Sequence, residues 1–184
     1  MARVISAESW RSRGVVSLAR SLLGKVLVRT GPVGREARVI LETEAYIGRN
    51  DGACHASKGL TPRTAVMFGP GGHWYVYLCY GCHDMLNLVV GPEGFPAAIL
   101  IRAVEGSVGP GRLTRALQID RSFNARRVEP ESALHLEDTG LTVPKSRIIV
   151  GPRVGVDYAG PKWAAKPWRF RIHPADLRNR PVVL

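Results

Sequence analysis

The stretch Arg38-Val-Ile-Leu-Glu-Thr-Glu-Ala-Tyr46 decides how the chain is read. Val39, Ile40, Leu41, Thr43 and Tyr46 favour extended backbone, and neither glycine nor proline interrupts them, so the segment reads as a strand. Side chains alternate along a strand, which puts Ile40, Glu42, Glu44 and Tyr46 on one face and Val39, Leu41, Thr43 and Ala45 on the other. A strand this apolar belongs inside a sheet. Two carboxylates on one of its faces then need a partner, an opening to water or a chemical task. The solvated face of an antiparallel sheet would also satisfy them. A task is favoured by a second strand, Trp74-Tyr-Val-Tyr-Leu-Cys-Tyr80, which supplies aromatic surface beside an acid.

Upstream, Val15, Leu18, Ala19 and Leu22 recur at helical spacing, and Gly24 suits the end of that helix. Lys25 to Thr30 reads as a strand, with Gly31-Pro32-Val33-Gly34 as the turn of a hairpin into the glutamate strand. Downstream, residues 48–60 form a polar loop carrying Asp51, Cys54 and His55. Thr61 and Pro62 suit the cap and first turn of a short helix holding Val66, Met67 and Phe68 and stopping at Gly69. After the aromatic strand, Gly81 to Asp84 makes a turn and Met85 to Val90 returns. Ala97 to Val104 is another buried strand, and Gly109-Pro110-Gly111 opens a basic helix over Arg112 to Leu117. Residues 129–140 read as acidic and irregular, with a short strand at Ala133 to Leu136. Arg147 to Val150 and Arg169 to Ile172 close the set. With no repeat, low-complexity tract or linker, the pattern is that of one α+β domain, residues 1–184.

At 184 residues the chain can bury a sizeable core, and its net charge of +11 suits a polyanionic partner, nucleic acid before a membrane surface. No apolar run is long enough to span a bilayer, and the start of the chain lacks the apolar core of a signal peptide. Three cysteines without a repeating framework point to a reducing compartment.

Cys79-Tyr-Gly-Cys82 has the spacing of a redox dithiol, but such a pair ordinarily opens a helix, and this one straddles a hairpin turn. Cys54-His55 with His83 lacks the two close ligand pairs of a structural zinc site. The glycine-rich segments lack the Lys-Ser/Thr of a phosphate-binding loop, so no nucleotide cofactor is implied. Tyr75, Tyr77 and Cys79 point one way, and Trp74, Val76, Leu78 and Tyr80 the other. Core packing would explain three tyrosines on a strand. Yet Tyr80, followed at once by Gly81, stands at a hairpin tip, where an apolar ring on a basic protein can wedge into a base step. Tyr77 lies deeper, where a flat ring can stack on an extruded base, and Asn87 on the return strand adds a polar discriminator.

Leu41-Glu-Thr-Glu-Ala-Tyr46, Asp51-Gly-Ala-Cys-His55, Thr61-Pro-Arg-Thr64 and Tyr75-Val-Tyr-Leu-Cys-Tyr-Gly81 resemble the alkyladenine (3-methylpurine) DNA glycosylases. So do Leu86-Asn87, Leu100-Ile-Arg-Ala103, Gly109-Pro-Gly-Arg-Leu113, Pro152-Arg-Val-Gly-Val156 and Lys166-Pro-Trp-Arg-Phe170. The resemblance runs in one order from about Val15 to Ile172. It implies a single α+β domain with a curved antiparallel sheet, flanking helices and a protruding hairpin that probes the DNA minor groove. It also implies a base-excision enzyme that flips a damaged purine into a pocket and hydrolyses its N-glycosidic bond, without metal, organic cofactor or lyase step. The implied partner is double-stranded DNA carrying damaged purines, bound by a monomer away from membranes, in the cytoplasm or nucleoid of a bacterium or the nucleus of a eukaryote.

By the same resemblance, Glu44 is the base that activates the attacking water, and Arg102 helps hold that water and keeps Glu44 ionised. Glu42 lies beside it without an assigned step. Tyr46, His55 and Tyr77 correspond to the cage around the flipped base, and Tyr80 to the residue that fills the gap in the duplex. Asn87 corresponds to the position that clashes with the exocyclic amine of guanine. Val154 corresponds to a pocket wall acting through its backbone. Between Glu105 and Gly109 the chain is shorter than the family pattern, which removes a helix there. Cys79 and Cys82 replace larger apolar residues around the wedge.

Overall fold

Ten antiparallel strands organise the computed structural model, which describes residues 2–12, 14–32 and 34–177. They are β1 Arg3–Val4, β2 Val26–Gly31, β3 Gly34–Tyr46, β4 Trp74–Cys79, β5 His83–Val90, β6 Ala97–Val104, β7 Ser107–Val108, β8 Leu134–Asp138, β9 Ile149–Gly151 and β10 Arg169–Arg171. Three short helices flank them: α1 Val15–Ser21, α2 Pro110–Ala116 and α3 Pro161–Ala164. The main path runs β1-β8-β2-β3-β6-β5-β4, with β10 joining β3 to β9 and β7 alongside β6. This is an open α+β sheet rather than a closed barrel.

The 13 residues of β3 make it the branch point. On one edge it pairs first with β2, through Gly34 to Val39, and then with β10, through Glu42 to Glu44. Its other edge pairs with β6 from Ile40 to Tyr46. The strand therefore leaves one neighbour and takes another where its carboxylates begin. There the register with β6 slips: Ile40 faces Val104, Glu42 faces Ala103 and Thr43 faces Ile101, so Leu41 and Arg102 each fall between paired positions. The two slips cancel, and regular pairing resumes.

That irregularity corrects the simple alternation expected of β3. Val39, Ile40 and Leu41 are all buried in one core, so Ile40 does not share an open face with the glutamates. The core also takes in Trp74 and Val76 of β4, Leu86 and Leu88 of β5, Ile99 and Ile101 of β6, Leu113 of α2 and Phe170 of β10. Trp74 anchors β4 from within, its indole N–H donating to the Leu134 carbonyl at 2.9 Å. On the other side of β4, Tyr75 packs with Cys54, Ala56, Met67, Val89 and Ala98 in a smaller cluster, against which Tyr46 and Tyr77 rest. Alternation along β4 thus divides the structural core from the aromatic wall.

The expected helix over Val15 to Leu22 is α1, and the β2–β3 hairpin forms as read, with Val33 of its turn outside the described residues. The Thr61 hydroxyl accepts from Thr64 N at 3.2 Å, but the helix expected to start at Thr61 begins later, as a 3-10 turn over Ala65–Phe68 with Thr64 at its N-cap. Residues 129–140 are more ordered than their charge suggests. They hold β8, which pairs β2 on one side and β1 on the other. At Arg147 the expected strand yields to a 3-10 turn, Lys145–Arg147, before β9. The short β7 occupies the connection after Glu105 and pairs back onto β6.

Candidate active site

Glu44 is fully buried, with 0% of its surface exposed. Its carboxylate is held by three groups from three directions. Val154 N donates to Oε1 at 2.8 Å, the Tyr46 hydroxyl donates to Oε2 at 2.8 Å, and Arg102 Nε lies 3.4 Å from Oε1. The same Arg102 Nε reaches Glu42 Oε1 at 3.3 Å, and Arg169 Nη1 lies 3.6 Å from that oxygen. Two carboxylates two residues apart are thus kept together by cations from β6 and β10. The slip in the β3–β6 register is what lets one arginine serve both.

Burial raises the Glu44 pKa above its ordinary value, despite the opposing pull of Arg102, Val154 N–H and the Tyr46 hydroxyl. Arg102 pulls toward the ionised form, as expected, and burial sets the net direction. Tyr46 is itself pushed well above the usual phenol range, by burial first and then by the adjacent Glu44 charge, so it remains a neutral donor.

Tyr46, Arg102 and Val154 all line a cavity of about 490 Å³, so the carboxylate lies directly behind its lining. Tyr75, Tyr77 and His55 form the aromatic wall. The His55 and Tyr77 rings meet edge-on at 4.6 Å between centroids, and Tyr75 and Tyr77 lie 5.2 Å apart. His55 Nδ1 is 2.9 Å from the Tyr75 hydroxyl. Burial, then the nearby Arg63 and Lys58 charges, lowers the His55 pKa to about 4, leaving it neutral at physiological pH. Asn87, in the cavity lining, donates through its amide nitrogen to Tyr75 O and to Met85 O at 3.1 Å each, which leaves Oδ1 as its remaining polar group.

At the tip of the β4–β5 hairpin, Cys79 pairs with His83 and only Tyr80, Gly81 and Cys82 intervene. Tyr80 is 89% exposed, adjoins the cavity and adopts a φ of +50°, a left-handed conformation unusual for a bulky residue. Gly81, at φ +70°, continues the turn without such a penalty. The ring is therefore held out by a committed backbone.

The structure thus gathers Glu44, Tyr46, His55, Tyr77, Tyr80, Asn87, Arg102 and Val154 around one cavity. It adds residues that sequence reasoning did not single out. Tyr75 supports His55, and its position on the Tyr77 face was visible from alternation. Arg63 lies 4.8 Å over the Tyr77 ring, and Tyr158 borders the cavity with its hydroxyl donating to Ala53 O at 3.0 Å. Tyr158 carries no local pattern that announces it, and Arg63 sits in the Thr61-Pro-Arg-Thr64 motif without an assigned role. The three cysteines are free thiols. Cys54 is buried, and that burial pushes its pKa up to about 11. Among the described residues no three His, Cys, Asp or Glu side chains are grouped to hold a metal ion, and none of the helices is long and apolar enough to cross a membrane.

A family model for methylpurine-DNA glycosylase (MPG) matches residues 9–108 and 105–175. The chain belongs to this family. A protein of Anaeromyxobacter dehalogenans is 48% identical over 183 residues, covering 95% of this chain and 86% of its own. One from Myxococcus xanthus is 50% identical over 178 residues, covering 92% and 90%. Both carry the words 3-methyladenine DNA glycosylase in their names. The Arabidopsis thaliana DNA-3-methyladenine glycosylase is 43% identical over 177 residues, covering 85% of this chain and 67% of its own.

Proposed function

We propose that this protein is a monofunctional DNA glycosylase that extrudes alkylated or deaminated purines from duplex DNA and hydrolyses their N-glycosidic bond with a Glu44-activated water. The observation that carries the reading is the fully buried Glu44 bonded to three groups that line an aromatic cavity. A cavity of about 490 Å³ suits a base with part of its sugar, and a duplex cannot enter it, so the nucleotide has to leave the stack.

Breaking the bond leaves oxocarbenium-like charge on the sugar. An ionised Glu44 both stabilises that charge and takes the proton of the attacking water, which adds at the anomeric carbon as the base departs. Its raised pKa makes it a stronger base than an exposed carboxylate. Arg102 and Val154 N–H orient it, and Tyr46 supplies the hydroxyl on its other oxygen. A 3- or 7-methylated purine is already cationic and needs no proton to leave, whereas a deaminated purine is neutral and departs with a proton taken up from solvent at its ring nitrogen. The faces of Tyr46 and Tyr77 attract such a ring, and neutral His55 adds no opposing charge. Arg63 is exposed and lies over the Tyr77 face on which the base would stack. Tyr80 fills the space the base vacates.

Single-turnover base release from duplexes carrying methyladenine, methylguanine, hypoxanthine or ethenoadenine tests the proposal. Release from at least one, without strand cleavage by the enzyme, is expected. Tight lesion binding with no release from any would instead identify a damage-binding protein on this scaffold.

A further inference from the structure

Beyond the groups that touch Glu44, one buried ion pair ties together the segments that carry them. Arg153 grips Asp51 with a two-pronged contact, Nη1 to Oδ2 at 2.5 Å and Nη2 to Oδ1 at 2.9 Å, and both side chains are 0% exposed. Arg153 Nη1 also donates to Ala45 O at 3.0 Å, beside Glu44 and Tyr46 on β3. Its guanidinium lies between two rings, 4.7 Å from Tyr46 and 5.0 Å from Trp168. Asp51 in turn accepts from Ile47 N at 3.2 Å and Ala53 N at 3.1 Å, which shapes the loop that delivers His55. A methyl group on Gly52 would fall 2.6 Å from the Trp163 ring, so this loop is pressed against the segment before β10.

Placing two charges out of water is poor value as a stabilising device, since well-packed apolar residues do as well or better. What the pair provides is direction. Arg153 immediately precedes Val154, whose N–H is aimed at Glu44 Oε1. A guanidinium held by a carboxylate, two carbonyls and two ring faces restrains that peptide.

Building on the glycosylase reading, we propose that Asp51 and Arg153 are positioning residues for the reaction: they fix the Val154 N–H on Glu44 and set the Tyr46 ring and the His55 loop around the extruded base. Arg153→Lys keeps the charge but loses the fork. Asp51→Asn keeps the size but loses the charge. Val154→Pro deletes the N–H itself while keeping both side chains of the pair, at a residue 46% exposed.

The test measures single-turnover base release against pH, lesion-duplex affinity, melting temperature and the NMR titration of the Glu44 carboxyl, assigned by its loss in Glu44→Gln. In all three variants release from the bound complex should fall by about 100-fold, the cost of a misplaced catalytic group, with affinity within about threefold. The acid limb of the rate profile and the Glu44 titration should both move to higher pH, because a carboxylate that loses a donor becomes more basic. Parent-like rates and titration in Arg153→Lys and Asp51→Asn, with only the melting temperature lowered, would reduce the pair to a structural role. If those two do not fold, an unmoved Glu44 titration in Val154→Pro still overturns the proposal, because the pair is argued to act through that N–H. A parent protein that releases no base defeats the glycosylase reading, whereas the carboxyl titration still judges the positioning claim.

Discussion

Glu44 on β3 and Glu137 on β8 lie on the same sheet, each within 3.5 Å of an arginine nitrogen, yet their acidities move in opposite directions. Glu137 bonds His135 Nε2 at 3.0 Å and Arg35 Nη2 at 2.8 Å. Burial pushes its pKa up, but those hydrogen bonds and the Arg35 charge overcome the push and leave it lowered. Glu44 is dried more completely, and its partners are a neutral hydroxyl, a peptide N–H and an arginine shared with Glu42, so burial prevails. An adjacent arginine does not by itself decide whether a carboxylate is structural or reactive. The difference lies in how much water is removed and whether the cation is shared.

The sharpest way to break this comparison is to neutralise each acid in turn. Glu44→Gln should lower the single-turnover rate of base release by roughly 10²- to 10⁴-fold while lesion binding persists, and Glu137→Gln should leave the rate within about twofold. A fully active, folded Glu44→Gln would remove Glu44 as the base.

Stability should separate the two in the reverse sense. Glu44 holds its proton more tightly in the folded protein than in the unfolded chain. Its favourable contribution is therefore present below the unfolded carboxylate pKa, near pH 4, and lost as pH rises through the raised folded value. Glu44→Gln should accordingly melt higher than the parent at pH 7 and lose that advantage in acid. Glu137, with a lowered pKa, contributes above its unfolded value and loses that contribution as pH falls through the folded one. Glu137→Gln should melt lower at pH 7, and the deficit should shrink in acid. Melting curves of both variants at the two pH values check the signs together.

Smaller effects come from the hairpin, where geometry rather than charge is at stake. Tyr80→Ala should slow release about tenfold on fully paired duplexes and much less on mismatched ones, where the base is already loosened. Equal behaviour of variant and parent on paired duplexes would remove the wedge role. Replacing Cys79 and Cys82 by serine should change the rate by no more than about twofold, since neither thiol bonds to the groups around Glu44.

Much of this arrangement was legible in the residues. The apolar run around Glu42 and Glu44 announced β3, the tyrosine alternation announced β4, and Gly81 announced the turn at Tyr80. Two things were not. A compensated slip leaves no trace in hydrophobic period, so Ile40 was placed on the wrong side of the division. Asp51 and Arg153 are 102 residues apart, and nothing near either one names the other. The short strand expected at Ala133 to Leu136 is β8, Leu134–Asp138, whose charges are satisfied by Arg35, Lys25 and His135.

The paired slips in β3 and β6 open and close within a few residues, so the strands on either side keep their alignment. Changes at Leu41, Glu42 or Arg102 can therefore retune the acid's surroundings without forcing the rest of the sheet to re-pair. The misfit that brings the acids under one cation ends before it reaches the neighbouring framework.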